Sequence, residues 1–179
     1  MKKEISGSLK WIYIIGIFIV LSCNKDNRPE LFELNQFVDF DIQPGLNTFD
    51  THFFVIGPLP SSYDEELAAS GKSPTDVKAI ESKDAYLSSV FKDVNLKFIR
   101  TISVYIFDPF NPSDKIEFLY FEHVPYRNTT SIRLFPGIAD ISHWVNQEFF
   151  GIEVRLNFAD ITPSFTQMRL EFDIHALGE

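Results

Sequence analysis

Residues 96–107, with the sequence LKFIRTISVYIF, decide the fold class. Apolar side chains occupy every second position at Ile102, Val104 and Ile106, and mostly polar ones stand between them. Because successive side chains of a β-strand point to opposite faces of the sheet, a period of two predicts a strand with one buried face. The sequence therefore predicts a long strand over residues 96–107.

The same alternation recurs along most of the chain. It predicts further strands at residues 38–42, 48–56, 85–89, 116–124, 131–135, 152–158 and 168–174. Residues 108–114 are rich in turn formers and predict a long hairpin between the strands on either side. The last two strands are predicted to pair antiparallel across a turn at Thr162-Pro163.

Helical spacing replaces the alternation in two places. Ser62 to Ser70 predicts a short helix that ends at Gly71, and Ser73 with Asp76 resembles a capping box that would start a second helix reaching Ile80. Residues 138–145 also have helical spacing. Together these patterns predict a mainly β fold: an antiparallel β-sandwich of immunoglobulin-like architecture with a short helical insertion. The cysteines of immunoglobulin domains are missing, so the prediction concerns architecture alone.

The first 22 residues have the layout of a secretory signal peptide. Lys2, Lys3 and Lys10 precede an apolar run at residues 11–21. A spanning helix needs roughly 18 or more apolar residues, so a transmembrane anchor is the weaker interpretation of this 11-residue run.

The apolar run ends in Val20-Leu21-Ser22-Cys23. This motif resembles the lipobox of bacterial lipoproteins, in which diacylglycerol is attached to the cysteine and cleavage leaves that residue first in the mature chain. The resemblance implies lipidation of Cys23 and membrane attachment through its acyl chains. An ordinary signal peptide with an incidental cysteine is the alternative.

Residues 23–31 are polar and lack a strand or helix period, which predicts a lipidated tether. Lys25-Asp26 partly resembles the surface-export signal of Bacteroidota lipoproteins, and residue 24 is not aspartate. The resemblance implies an outer-membrane protein that faces the cell surface, with the periplasmic orientation as the alternative. The chain as a whole resembles uncharacterised Bacteroidota lipoproteins.

Composition limits the classes of partner. The net charge of −9 becomes −11 once a leader with three lysines and one glutamate is removed. An acidic chain without a basic cluster is atypical of nucleic-acid-binding proteins. The segment 32–179 has the size and the phenylalanine content, 19 residues in the full chain, for a single domain. With Cys23 lipidated, no disulfide can form within the chain.

No catalytic or metal-binding motif stands out. The histidines His52, His123, His143 and His175 lack helical metal-ligand spacing. Asp50 and Asp173 lie two residues from His52 and His175, so each pair can share a sheet face, but cross-strand hydrogen bonding explains these pairs as easily as a site does. Oxygen ligands at Asp108, Asn111 and Asp114 form a weak calcium candidate, because such residues are also common in turns. We predict no cofactor.

Aromatic residues near predicted loops are the other candidates for binding. This set comprises Phe107, Phe110, Tyr120, Phe121, Tyr126 and Trp144. Tyr63, Tyr126 and Trp144 are the predicted contacts for a ligand or partner because they lie in predicted loops or turns. The alternative for all of them is packing in the core.

Three functions are compatible with these observations. The first is a non-enzymatic interaction or complex-accessory lipoprotein that docks on an outer-membrane protein, which a large exposed apolar surface would favour. The second is a glycan-binding accessory of a nutrient-uptake system, which requires a row of exposed aromatic rings. The third is an enzyme whose polar groups converge in a deep pocket.

Overall fold

The computed structural model describes residues 28–179. The predicted signal peptide, Cys23 and most of the predicted tether lie outside the described residues. Strand β1 already begins at Glu30, within the segment expected to be the tether. Within residues 28–179, no helix combines the length and the hydropathy needed to cross a bilayer.

Eight strands and two short helices make up the described part of the chain. The strands are β1 Glu30–Ile42, β2 His52–Pro60, β3 Ala79–Ser89, β4 Ile99–Asp108, β5 Asn111–Phe121, β6 Ser131–Pro136, β7 Phe149–Phe158 and β8 Thr166–Leu177. The helices are α1 Tyr63–Ser70 and α2 Ser142–Val145, and two 3₁₀ turns lie at Pro74–Asp76 and Leu96–Phe98.

All eight strands belong to one nearly closed antiparallel sheet in the order β1-β8-β3-β6-β5-β4-β7-β2. The prediction of a mainly β, antiparallel fold is confirmed. The predicted sandwich is not confirmed, because hydrogen bonds between β5 and β6 join the two halves of the sheet. That junction is short, with only the pairs Leu119–Pro136 and Tyr120–Phe135.

The alternating apolar side chains of the strands fill one continuous core. Val104 and Ile106 of β4 and Val154 of β7 are fully buried, as the period of two requires. At Gly151 a side chain would have no room, since an added Cβ would lie 2.1 Å from the ring of Phe107. The Phe107 ring covers this glycine and is buried there.

Several predicted boundaries and one predicted pairing are wrong. β7 pairs with β2 and β4, whereas β8 pairs with β1 and β3, so the last two strands do not form a hairpin. The predicted second helix is only the 3₁₀ turn Pro74–Asp76, although its capping box at Ser73 is present. β4 begins at Ile99 after a 3₁₀ turn, and β5 begins at Asn111, which reduces the predicted loop to a turn at Pro109 and Phe110.

The strand directions divide the molecule into two ends. The helical end carries residue 28, α1, α2, the turn at residues 109–110 and the C-terminus. The loop end carries the connections 43–51, 90–98, 122–130 and 159–165. β1 has 13 residues and spans about 40 Å between the two ends.

Candidate functional site

Hydrogen bonds tie the first and last connections of the loop end together. The buried hydroxyl of Thr162 donates to the carbonyl of Gln43 at 2.7 Å and accepts from the N–H of Leu46 at 2.9 Å. The N–H of Gly45 donates to the carbonyl of Thr162 at 2.9 Å. Gly45 has a φ of +82°, a conformation in which glycine is favoured. Thr162 thus holds connections 43–51 and 159–165 in one arrangement.

The two remaining connections are linked in the same way. The N–H of Leu96 donates to the carbonyl of Thr129 at 2.8 Å, and the side-chain amide of Asn95 donates to Asn128 at 2.6 Å. The hydroxyl of Tyr126 donates to Asp160 at 2.8 Å and joins connection 122–130 to connection 159–165. The four connections therefore form one hydrogen-bonded surface.

Large apolar side chains project from this surface into solvent. Five of them are between 56% and 93% exposed: Phe49, Phe91, Tyr126, Ile161 and Phe165. At the helical end the exposed large apolar residues are Phe110 and Ile138 among the described part of the chain. Burying apolar area is the main source of affinity between proteins, so a fixed, exposed apolar surface of this kind can bind a partner.

The loop end is also close to electrically neutral. Its connections carry three basic and four acidic side chains, a net charge of −1: Lys92, Lys97, Arg127, Asp50, Asp93, Glu122 and Asp160. Residues 28–179 as a whole carry 12 basic and 23 acidic side chains, a net charge of −11. Repulsion between like charges is therefore weaker at the loop end than over the remainder of the domain.

A cleft of about 190 Å³ opens beside this surface, where β5 and β6 diverge. Its lining combines apolar side chains with two arginines and comprises Phe121, Val124, Pro125, Arg127, Thr129, Ser131, Ile132, Arg133 and Phe135. The rings of Phe121 and Phe135 pack 5.2 Å apart between centroids. The cleft can accept an apolar group that carries negative charge.

Of the three predicted contact residues, only Tyr126 is exposed. Its ring lies under the ammonium group of Lys97, 5.6 Å from the ring centroid. The hydrogen bond from its hydroxyl to Asp160 and the nearby negative charge raise the pKa of Tyr126. Tyr126 and Trp144 lie at opposite ends of the molecule.

The expectation that Tyr63 and Trp144 lie in accessible loops is wrong. Tyr63 is the first residue of α1 and packs on Phe32 with ring centroids 5.8 Å apart. Trp144 lies in α2, and its indole N–H donates to the carbonyl of Asp114 at 3.1 Å. Both side chains are buried because the helical end needs large apolar groups to cover the core. Burial also raises the pKa of Tyr63.

The oxygen ligands of the calcium candidate make local contacts instead. The carboxylate of Asp108 accepts from the N–H of Phe110 at 2.8 Å within the β4–β5 turn. Asp114 lies 2.9 Å from Nε2 of His143, and Asn111 pairs with Asp108 as the first residue of β5. Within residues 28–179 no three His, Cys, Asp or Glu side chains are grouped as metal ligands would be.

Among the described residues, His52 and His175 make no hydrogen bond to Asp50 and Asp173, the acids two positions away in sequence. His52 stacks on Phe158 at 5.0 Å between centroids, and its Nε2 lies 3.0 Å from the carbonyl oxygen of Asn47. Nδ1 of His175 lies 3.2 Å from a carboxylate oxygen of Glu30. These contacts connect strands and loops, which is a structural use of the imidazole ring.

A second surface lies on the outer face of β1, β8 and β3. This outer-face groove has a volume of about 330 Å³ and is lined by Asn35, Gln36, Phe37, Asp84, Tyr86, Glu171 and Asp173. Phe37 and Tyr86 both pair with Glu171 in one cross-strand row, and both rings are exposed. Burial, with Glu33 and Asp84 nearby, raises the pKa of Asp173.

Sequence reasoning missed Phe49, Phe91, Ile161 and Phe165 of the loop end. Phe49 was included in the predicted strand 48–56, but β2 begins only at His52. A lone apolar residue among turn formers, as at Ile161, is the pattern that could have identified part of this surface. No protein-family model matches this chain, and no curated protein matches it.

Proposed function

We propose that this protein is a lipid-anchored, non-enzymatic envelope protein that presents its loop end to a protein partner at the outer membrane. The observation that carries the proposal is the set of exposed apolar side chains on hydrogen-bonded connections at that end. A surface of this composition is typical of protein interaction sites.

The course of β1 supports an orientation for the anchored protein. The described chain enters β1 at the helical end, and β1 carries it about 40 Å to the loop end. If Cys23 is acylated, the residues between it and Glu30 extend at most about 25 Å. The helical end then faces the membrane, and the loop end faces away from it, toward the cell surface or, in the alternative, into the periplasm.

The docking proposal can be tested by exchanging phenylalanine for serine at the two ends. Phe49→Ser with Phe91→Ser removes two exposed rings from the loop end, and Phe110→Ser removes one from the helical end. Tagged full-length protein is purified from gently solubilised membranes and analysed by mass spectrometry. We expect a stoichiometric outer-membrane protein with the wild type and with Phe110→Ser, and its loss with the double variant. Equal recovery with all three proteins would contradict the proposal.

Lipidation is tested separately with Cys23→Ser. We expect a palmitate analogue to label the wild type and the wild type to fractionate with membranes. The serine variant should lose both properties, because serine lacks the thiol to which lipid is attached. Labelling or membrane retention of the variant would favour an uncleaved apolar helix as the anchor.

Glycan binding is the second candidate function, and the outer-face groove favours it. Phe37 and Tyr86 stand on strands separated by one other strand, about 10 Å apart, with Glu171 between them. Exposed rings can stack on the apolar faces of sugars, and carboxylates and amides can bond their hydroxyl groups. The soluble domain from residue 24 should then bind on a glycan array, and Tyr86→Ala should abolish binding while Tyr126→Ala does not.

The sandwich architecture also remains a proposal. We infer that the halves β1-β8-β3-β6 and β5-β4-β7-β2 pack face to face, as in immunoglobulin-like sandwiches. The brevity of the β5–β6 junction supports this description.

A further inference from the structure

The cleft between β5 and β6 leaves part of a strand edge without a neighbour. β6 pairs with β3 through residues 131–134, from Ser131–Ser88 to Leu134–Ala85. On its β5 side only Phe135 and Pro136 are paired in the described structure, because β5 ends at Phe121. Alternate residues of a strand point their N–H and C=O to opposite edges, and here Ile132 and Leu134 point toward β3. The hydroxyl of Thr129 bonds the N–H and the C=O of Ser131, so Arg133 is the residue of this edge that can pair with another extended chain.

Side chains on both sides of this edge suit one kind of occupant. Ile132, Val124 and the Phe121–Phe135 ring pair supply apolar contact. Arg127 and Arg133 supply positive charge, although the net charge of residues 28–179 is −11. Arg133 forms an ion pair with Asp84, whereas Arg127 has no carboxylate partner among the described residues.

We propose that this cleft binds an extended peptide segment with alternating apolar and acidic side chains, which pairs with β6 at Arg133. The segment belongs to the protein partner, so this inference rests on the proposed docking function. Backbone hydrogen bonds to the N–H and C=O of Arg133 provide the register, the apolar side chains enter toward Ile132, and a carboxylate bonds Arg127.

A defined peptide tests the inference directly. The probe is a fluorescein-labelled peptide of about seven residues that alternates valine and glutamate, long enough to extend along β6 on both sides of Arg133. Its control has lysine in place of glutamate. Binding to the folded domain is measured by fluorescence anisotropy at low salt, because screening weakens exposed charge pairs. We expect the glutamate peptide to bind at least roughly tenfold more tightly than the lysine peptide.

Matched variants test whether the peptide binds in this cleft or elsewhere on the surface. Arg127→Glu should weaken binding of the glutamate peptide roughly tenfold or more, whereas Lys92→Glu makes the same charge change outside the cleft and should have little effect. Ser131→Trp should block the cleft, whereas Thr130→Trp places the same side chain at the neighbouring exposed position and should not. Hydrogen exchange should show new protection of the Arg133 amide in the complex, whereas the Ile132 and Leu134 amides point toward β3 and should not change.

Several results would overturn the inference. These are the absence of binding, equal binding of the two peptides, binding that Arg127→Glu leaves unchanged, or binding without protection of the Arg133 amide. If any of these occurs while Phe49→Ser with Phe91→Ser still releases the cellular partner, the docking function stands and only the role of the cleft is wrong. If Phe49→Ser with Phe91→Ser retains the cellular partner and Arg127→Glu retains the peptide, both proposals are rejected.

Discussion

At the helical end Tyr63 and Trp144 are buried against the core, whereas at the loop end Phe49, Phe91 and Tyr126 project into solvent. The difference follows from what each end must cover. α1 and α2 close one end of the nearly closed sheet with apolar side chains. At the other end hydrogen bonds between connections fix the backbone, and the apolar groups remain available. Aromatic content alone therefore does not distinguish structural from interacting residues.

The largest expected difference between the two ends is in how much a buried or an exposed aromatic residue contributes to the free energy of unfolding. Trp144→Ala should lower the free energy of unfolding by about 3–5 kcal/mol, because it removes a buried indole and its hydrogen bond. Tyr126→Ala at the loop end should lower it much less, because the ring is exposed. Urea unfolding of the soluble domain measures both values, and similar losses for the two variants would contradict the distinction between the ends.

A smaller effect is expected from the hydrogen bonds that fix the loop end. Thr162→Val preserves the shape of the side chain but leaves the carbonyl of Gln43 and the N–H of Leu46 without their partner. The cost should be about 1–3 kcal/mol. Hydrogen exchange at Leu46 should accelerate.

Thr130→Val is the matched control for this prediction, because Thr130 is exposed at the same end of the molecule. It should leave exchange at Leu46 unchanged. Unaltered exchange in Thr162→Val would mean that the connections are held together by other contacts.

The sequence predicts the features of this fold that depend on neighbouring residues, but not those that depend on contacts between residues distant in sequence. Alternation identified the strands around Val104 and Val154, because burial of one face is a local pattern. Alternation could not identify the strands that pair with β7. The connection that follows β7 contains Thr162, which is bonded to connection 43–51, more than 100 residues away in sequence. The chain consequently crosses to the other half of the sheet instead of turning back.

Local preference was overridden at one position, and burial could not be predicted at another. The capping box at Ser73 formed, but pairing of Ala79 and Ile80 with β8 replaced the predicted helix. Trp144 was assigned to a predicted turn or short helix, and only the packed structure shows that its ring lies inside. Tyr126 lies in a loop, as predicted, and is exposed, but its neighbours on the loop end come from four separate connections.

The smallest expected effect is the contribution of the Asp140 carboxylate, at the helical end, to the pH dependence of stability. Burial opposes ionisation of Asp140, but hydrogen bonds from Ser142 and Ile80 outweigh it and lower the pKa of Asp140 below its ordinary 3.8. A lowered folded pKa contributes stability that is present above pH 3.8 and is lost as the pH falls through the folded value. Asp140→Asn should therefore destabilise the domain near pH 7 and much less near pH 2.

Because Asp140 is exposed, solvent screening limits this contribution to about 0.5–1 kcal/mol. Unfolding by urea at the two pH values measures it. The matched control is Asp41→Asn, since Asp41 is exposed and accepts no backbone hydrogen bond in the described structure. A destabilisation by Asp140→Asn that is the same at both pH values would show that the charge of this carboxylate does not stabilise the helical end.

The central claim, that the loop end is the surface presented to a partner, is tested most directly by photo-crosslinking in cells. A photoreactive phenylalanine analogue replaces Phe91 at the loop end or Phe110 at the helical end, both of which are highly exposed. We predict that the position 91 derivative gives one discrete adduct with an envelope protein and that the position 110 derivative does not. An adduct from position 110 alone, or the same adduct from both positions, would contradict the claim.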